Sequence, residues 1–415
     1  MNAGKPAALQ VRERAHSTIH RHRPHQPWHF GGVVAVVFVV MAASSVPSPL
    51  YGLYQQQWHF GTTTSTIVYA CYALGAILTL LFAGGLAAHL GTRRTIVLAQ
   101  ATLVLSFLTF LLATGAWALC LARLVQGVAV GLLTSSAGSA LADLHPDRSH
   151  RAAAAANSTA TSTGIALGAV FSGLAAQYGP APLVTPFVVL TVLSVCGLVL
   201  VRAIPAWQPE QQQLRSWRPR VPRLGAGSRR ILLRVAPLVT VGWSVVGLYL
   251  ALGVDLVAGL LHTHDRALSS LVILVVQGCG GIAPMLLRRL SDRTASVTGC
   301  GLLVAGLGAS VAGYDMAHTT LFFLGAAITG AGFGLTFMGS TSAVTAAVRS
   351  GDRPQLLPGF FALAYLAVSV PVVALGAAAS HFGVAAAFSW FGFLVALLAV
   401  VAGVLAVRPS SRYPA

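Results

Sequence analysis

Long apolar runs separated by short polar turns dominate the chain. Twelve of them fall at 31–54, 66–88, 95–113, 116–141, 152–177, 182–204, 231–254, 268–287, 295–313, 319–341, 357–380 and 384–407. Each suffices to cross a bilayer as a helix, which takes about 20 residues. The short alternating strands of a membrane barrel are absent from the pattern. A lone span in lipid has to satisfy its own backbone hydrogen bonds, and only a helix does so. The pattern predicts an all-α integral membrane protein.

The runs fall into two groups of six, 31–204 and 231–408. Between them, 205–230 is polar and carries Pro205, Pro209, Pro219 and Pro222, so it reads as a linker. Residues 1–30 and 409–415 are the tails. The second group repeats the first. Gly84-Gly85 returns as Gly280-Gly281, and Gly127 and Gly131 return as Gly330 and Gly334. Pro49-Leu50-Tyr51 corresponds to Gly247-Leu248-Tyr249, and Tyr178-Gly179 to Phe382-Gly383, all at offsets from 196 to 204. Both groups start on the same side and hold six spans, so the repeat is parallel, about an axis along the membrane normal.

Composition agrees: 56% of residues are apolar and 8% charged. The net charge of +17 raises nucleic acid as a partner, but its distribution removes the need for one. With the N-terminus in the cytoplasm, 24 of the 26 Lys and Arg fall in cytoplasmic segments or at the cytoplasmic ends of spans; Arg266 alone lies in an outer loop, and Arg123 lies deep within a span. This is the positive-inside pattern of a cell-membrane protein with both termini cytoplasmic. The basic leader before Val33 to Ala43 also has the form of a signal peptide; the even number of spans favours a retained helix. The N-terminal tail holds Arg12, Arg14, Arg21, Arg23 and five histidines and reads as a solvated arm near anionic lipid. Cys71, Cys120, Cys196, Cys279 and Cys300 all sit in spans with no CxxC spacing, so they read as small buried apolar residues. No cofactor or metal is expected.

Four features stand out against this background. Pro47 and Pro49 remove backbone donors near the outer end of the first span, and freed carbonyls at membrane depth are tolerated where neighbours or water re-satisfy them. That end of the span is expected to border a cavity. Arg123 and Gln126 lie inside the fourth span, where a charge is costly and faces protein or water. Gly127 and Gly131 beside them form a close-packing G-x-x-x-G face, and Gly164, Gly168 and Gly173 form another in the fifth span. Asp255 is the acid that falls at membrane depth or at its outer edge. Two readings of Arg123 stay open: it approaches Asp255 when the outer side is shut, or it bonds backbone carbonyls of the kinked first span. The turns after the second and eighth spans share a small-residue helix end and basic residues: Gly84, Gly91, Arg93 and Arg94, then Arg288, Arg289, Asp292 and Arg293.

The stretch Gly84, Leu86, Ala87, Gly91, Arg93 and Arg94 resembles the loop signature Gly-x-Leu-Ala-Asp-Arg-x-Gly-Arg-Arg of the major facilitator superfamily. Ala88, His89 and Thr92 depart from it, and the missing aspartate implies a weaker cytoplasmic gate. Arg123-x-x-Gln126-Gly127-x-x-x-Gly131 resembles the family's second signature, linked there to proton coupling. Gly164 and Gly168 fit the antiporter signature in part, with Ala169 where proline is expected. The Pro47-x-Pro49-Leu50-Tyr51 end of the first span is similar to bacterial efflux members. The resemblance covers nearly the whole chain. It implies two six-helix bundles that rock about a midplane site, cytoplasmic gates at the two basic turns, and a cavity walled by spans 1, 4, 7 and 10 with parts of 2, 5, 8 and 11. Candidates there are Tyr51, Tyr72, Gln126, Trp243, Tyr249, Gln277, Phe333 and Phe337. Aromatics with few fixed charges suit an amphiphilic or uncharged small molecule.

No phosphate-binding loop, metal-ligand cluster or catalytic triad is present, so the chain is not read as an enzyme and its energy is expected from a gradient. The leading expectation is a monomeric secondary transporter exporting small organic compounds against protons. Uptake of a sugar or metabolite is the alternative; a receptor or scaffold of transporter fold is the alternative of another class.

Overall fold

The computed structural model describes residues 27–82, 86, 90–147, 149–205, 226–349 and 356–407, the side chains of 150, 151, 226 and 346–349 aside. Thirteen α-helices follow in order: α1 (Pro27–Ser45), α2 (Tyr51–Trp58), α3 (Thr62–Phe82), α4 (Thr92–Leu111), α5 (Ala116–Leu144), α6 (His150–Tyr178) and α7 (Thr185–Ala203) form the first half; α8 (Ala226–Leu261), α9 (Arg266–Leu286), α10 (Asp292–Asp315), α11 (Thr319–Arg349), α12 (Leu356–Phe382) and α13 (Val384–Val407) form the second. Counting α1 and α2 as one broken span, twelve helices of the described residues are long and apolar enough to cross a membrane. The twelve predicted runs are all present. Gly84 and most of the predicted linker, 206–225, lie outside the described residues, and 226–230 already belongs to α8.

The first span breaks where Pro47 and Pro49 predict it. α1 stops at Ser45, Ser48–Leu50 forms one 3₁₀ turn, and α2 resumes at Tyr51. Gly91 takes φ 82°, a left-handed backbone that suits glycine, just ahead of α4.

The glycine pairs do the same work in both halves, which gives the repeat a physical basis. A Cβ on Gly127 would strike the Tyr72 carbonyl oxygen, and one on Gly131 would lie 2.7 Å from Thr79 Cβ, so α5 rests directly on α3. In the second half a Cβ on Gly330 would strike the Val276 carbonyl and one on Gly334 the Gly280 carbonyl, so α11 rests on α9 in the same way. Gly164 and Gly168 bring α6 onto α1 at Phe38 and Ala42. Close backbone approach takes the place of a hydrophobic driving force that lipid does not supply. The core of the first half is fixed by rings such as Phe110 and Phe187, stacked with centroids 4.5 Å apart.

Lipid-facing positions are apolar or self-satisfied. Leu105, Trp117, Val199, Trp390 and Phe393 are exposed around the perimeter. Thr102, Thr109 and Thr191 donate to the carbonyls four residues back at 2.8, 2.9 and 2.7 Å. Of the five cysteines, all free thiols, only Cys300 is buried; Cys196 is exposed and the others are half-buried. The expectation of five buried cysteines is corrected there. A thiol is apolar enough to face lipid, so a place in a span does not fix its burial.

Candidate functional site

The two halves meet along two seams, α3 against α12 and α6 against α9. At the predicted outer end both seams are held by hydroxyls and backbone. Thr63 Oγ1 and Ser380 Oγ lie 2.8 Å apart, and Thr63 Oγ1 donates to the Gly376 carbonyl at 3.3 Å. On the other seam the Arg266 N–H donates to Gln177 Oε1 at 3.0 Å, and Tyr178 Oη to Asp265 Oδ2 at 3.5 Å. Gly173 stands 2.8 Å, by a notional Cβ, from the Arg266 carbonyl. This end of the molecule is closed by contacts between the halves.

Arg266 also reaches the broken first span. A Cβ on Gly52 would collide with its Nη1 and lie 2.8 Å from its Nη2 and 3.0 Å from its Cζ, so the guanidinium turns its Nη1–Nη2 edge onto that glycine. The charge of Arg266 also acts on Asp255 in α8, which is half-buried two turns before the helix ends. We expect Gly52→Phe to hold this end open, because no ring fits where the guanidinium packs. Maleimide labelling of Thr63→Cys in that background will rise and transport will fall; unchanged labelling would contradict the arrangement.

Arg123 takes the second of the two readings its sequence leaves open. It is fully buried, and its Nη1 donates to the Ser44 carbonyl at 3.0 Å and to Gln126 Oε1 at 2.6 Å. Gln126 Nε2 donates to the Ala43 carbonyl at 2.9 Å. The reason lies four residues on: Pro47 has no N–H to give Ala43, and the break leaves Ser44 equally free. The polar pair of α5 satisfies the carbonyls that the kink releases. Among the described residues no ion pair joins Arg123 to Asp255, although the outer end is closed; the expected pairing is not formed, and the charge that acts on Asp255 is that of Arg266. Three rings surround the guanidinium, with Tyr72, Tyr69 and Tyr51 centroids 5.0, 5.4 and 5.9 Å from Cζ. Such contacts stabilise a buried cation by about 2 kcal/mol or more when desolvated.

From this cage a run of aromatic rings crosses between the halves. Tyr72 meets Tyr365 edge to face at 6.0 Å, Tyr365 meets Trp243 at 5.7 Å, and Trp243 meets Phe333 and Phe337 at 6.2 and 6.0 Å. Trp243, Phe333 and Phe337 are half-buried, and Trp243 Nε1 has no hydrogen-bond partner. Gln277 Oε1 is likewise unpaired, one turn from Gly280, which packs on Phe333. Of the predicted cavity residues, Tyr51, Tyr72, Gln126, Trp243, Phe333 and Phe337 thus belong to one connected assembly. Tyr249 does not: its hydroxyl donates to Ser310 Oγ at 2.9 Å inside the second half. Tyr69 and Tyr365 join the assembly without having been singled out in the sequence. Tyr69 is three residues before Tyr72 on the same helix face, a signal open to the reader of the sequence; Tyr365 has no aromatic counterpart in the repeat to point to it.

The basic turns hold helix ends within their own halves. Arg93 Nε donates to the Val201 carbonyl at 3.2 Å and its Nη2 to the Arg202 carbonyl. Arg293 Nη2 donates to the Val407 carbonyl in the matching place of the second half. Cations at helix C-termini meet orphan carbonyls and the negative end of the dipole. Arg94, Arg288, Arg289 and Asp292 are exposed at this end.

The comparisons with known proteins agree with this geometry. In solved structures the chain is similar to the xylose transporter XylE from E. coli in a partially occluded inward-open conformation, with TM-score 0.70, 14% identity, and 90% of this chain and 97% of that one covered. It is similar to the nucleoside transporter NupG at TM-score 0.68 and 11% identity, covering 92% and 99%. The human organic anion transporter MFSD10 (TETRAN) aligns at TM-score 0.64 and 15% identity, covering 90% and 98%. These likenesses are of fold alone. No curated protein matches the chain by sequence. The Major Facilitator Superfamily model matches residues 33–349. With that match across most of the chain, twelve spans and two seamed halves, the chain is a multi-pass membrane transporter of the Major Facilitator Superfamily.

Proposed function

We propose that the protein is a proton-coupled exporter of small amphiphilic organic compounds in the cell membrane, a monomer with both termini cytoplasmic. Transport proceeds by alternating access, the halves rocking about the aromatic run while the outer seams open and close. The observation that carries this reading is that run: rings from both halves, with Trp243, Phe333 and Phe337 half-buried and Trp243 Nε1 and Gln277 Oε1 unpaired beside them. Rings with a few spare hydrogen-bonding groups hold solutes that are mostly apolar. Asp255 serves as the proton carrier, since it is an acid on α8, which packs against the seam helices α9 and α12, and the charge of Arg266 acts on it. Protonation removes the carboxylate's attraction for Arg266 and loosens the guanidinium's hold over Gly52.

The second reading is uptake, favoured by the fold shared with xylose and nucleoside transporters. Inverted vesicles, energised and loaded with a pH-quenched dye, separate the two. Addition of lipophilic cations, antibiotics, organic acids or sugars is expected to release protons for at least one class. Asp255→Asn is expected to abolish that release while counterflow of the same solute persists. Proton release that survives Asp255→Asn removes Asp255 from coupling, and solute entry without proton movement favours uptake.

A further inference from the structure

Arg123 carries a charge that the fold leaves unbalanced. The side chain is fully buried, and its hydrogen bonds use Nη1 alone. Nε and Nη2 are buried and donate to nothing. Among the described residues no carboxylate pairs with it, and the charge that acts on Asp255 is that of Arg266. The second half offers no equivalent cation, since Ala326 occupies the repeat position of Arg123 at the offset of the paired glycines. A buried guanidinium without a counter-charge is costly and marks function.

Which donors are free decides what they can hold. Nε–H and Nη2–H lie on one edge of the planar guanidinium as two parallel donors, matching the two oxygens of a carboxylate. The Ser44 and Gln126 contacts leave that edge untouched. The Tyr51 hydroxyl is also buried, on a ring 5.9 Å from Cζ; it interacts with the Arg123 side chain but makes no hydrogen bond of normal geometry. The three ring faces stabilise the cation while the edge is empty. Of these rings Tyr72 is the most exposed, at 8% against 2% for Tyr51 and Tyr69, and it touches Tyr365 across the α3–α12 seam.

We propose that the free edge of Arg123 is a carboxylate subsite: the transported solute presents an anionic group to Nε and Nη2, and the Tyr51 hydroxyl donates to the same group. The proposal rests on the transport reading and names the substrate class, amphiphilic organic acids. A small inorganic anion moving as a co-ion offers the same charge without the two-oxygen match.

The test is thermal unfolding of the full chain in detergent with benzoate, benzamide and chloride. Benzoate is expected to raise Tm saturably, with benzamide about tenfold weaker or worse, the loss of charge-assisted bonds to one group. Arg123→Lys is expected to weaken benzoate by a similar factor, because an ammonium keeps the charge and loses the fork. No saturable benzoate shift, or benzamide equal to benzoate in the native protein, overturns the proposal without any variant that must fold. Chloride matching benzoate overturns the carboxylate assignment in favour of an inorganic co-ion. In the vesicle assay, neutral solutes that release protons while benzoate neither binds nor competes sink the subsite and leave transport standing. Benzoate that binds and moves no protons does the reverse.

Discussion

Thr63→Cys with Ser380→Cys, made in a chain whose five native cysteines have been replaced, will arrest transport under oxidation and release it under reduction. The two hydroxyls stand 2.8 Å apart at the predicted outer end, on α3 of one half and α12 of the other. Sulfurs in their place fall close to bonding range, and the close packing of Thr66 on Gly376 keeps the two helices in register there. The native hydroxyl contact contributes about 1 kcal/mol, which thermal motion overcomes on every cycle. A disulfide opens only by exchange with another thiol, so it holds the outer side shut until a reductant arrives. Flux should fall to background with oxidant and return with dithiothreitol, while each single variant stays active. A receptor or scaffold of the same fold has no step that needs this seam to part. Full flux through the cross-linked protein would therefore rule out alternating access at this seam.

The seam, the kink and the glycine contacts differ in how far the sequence announces them. The twelve spans are legible because a membrane helix needs length and apolarity and little else, and α13 begins and ends at the predicted residues 384 and 407. The break after Ser45 is legible because proline lacks the donor a helix needs. The partner of Arg123 is half legible. Pro47 identifies Ala43 as the carbonyl left without a donor, four residues back, but nothing in the sequence says that Gln126 rather than water supplies one. The pairing of Arg123 with Asp255 fails for a related reason. Opposite charges attract attention in a sequence, whereas backbone carbonyls carry no letter of their own. The charge that acts on Asp255 is that of Arg266, eleven residues along the same hairpin of α8 and α9. Tyr365 is not legible, because its place in the ring run depends on how two non-adjacent halves dock.

Replacing Gly127 by valine will cost the fold more than any other single small-to-large change on α5, and the reason is backbone rather than side chain. A Cβ there meets the Tyr72 carbonyl oxygen and lies 2.9 Å from the Ala76 nitrogen. Neither atom belongs to a flexible side-chain end, so α3 and α5 have to separate along their whole contact. Separation lifts Tyr72 from its place 5.0 Å from the Arg123 guanidinium and pulls Gln126, next to Gly127, away from the Ala43 carbonyl. Overpacking typically costs about 1–3 kcal/mol, and a buried donor losing its acceptor adds about 1–3 kcal/mol. A loss of that size is a large part of the stability of an ordinary domain, about 5–15 kcal/mol. Little folded protein should survive extraction, and what does should unfold well below the native Tm. Gly138→Ala, on the same helix with nothing within 4 Å of its added Cβ, is the control and should leave Tm unchanged or slightly raised. Equal melting of the two variants would mean that α5 does not rest on α3 through Gly127, and the shared packing of Gly127 with Gly330 would lose its meaning. A low Tm for Gly127→Val alone ties the stability of the first half to the crossing that holds Arg123 in place.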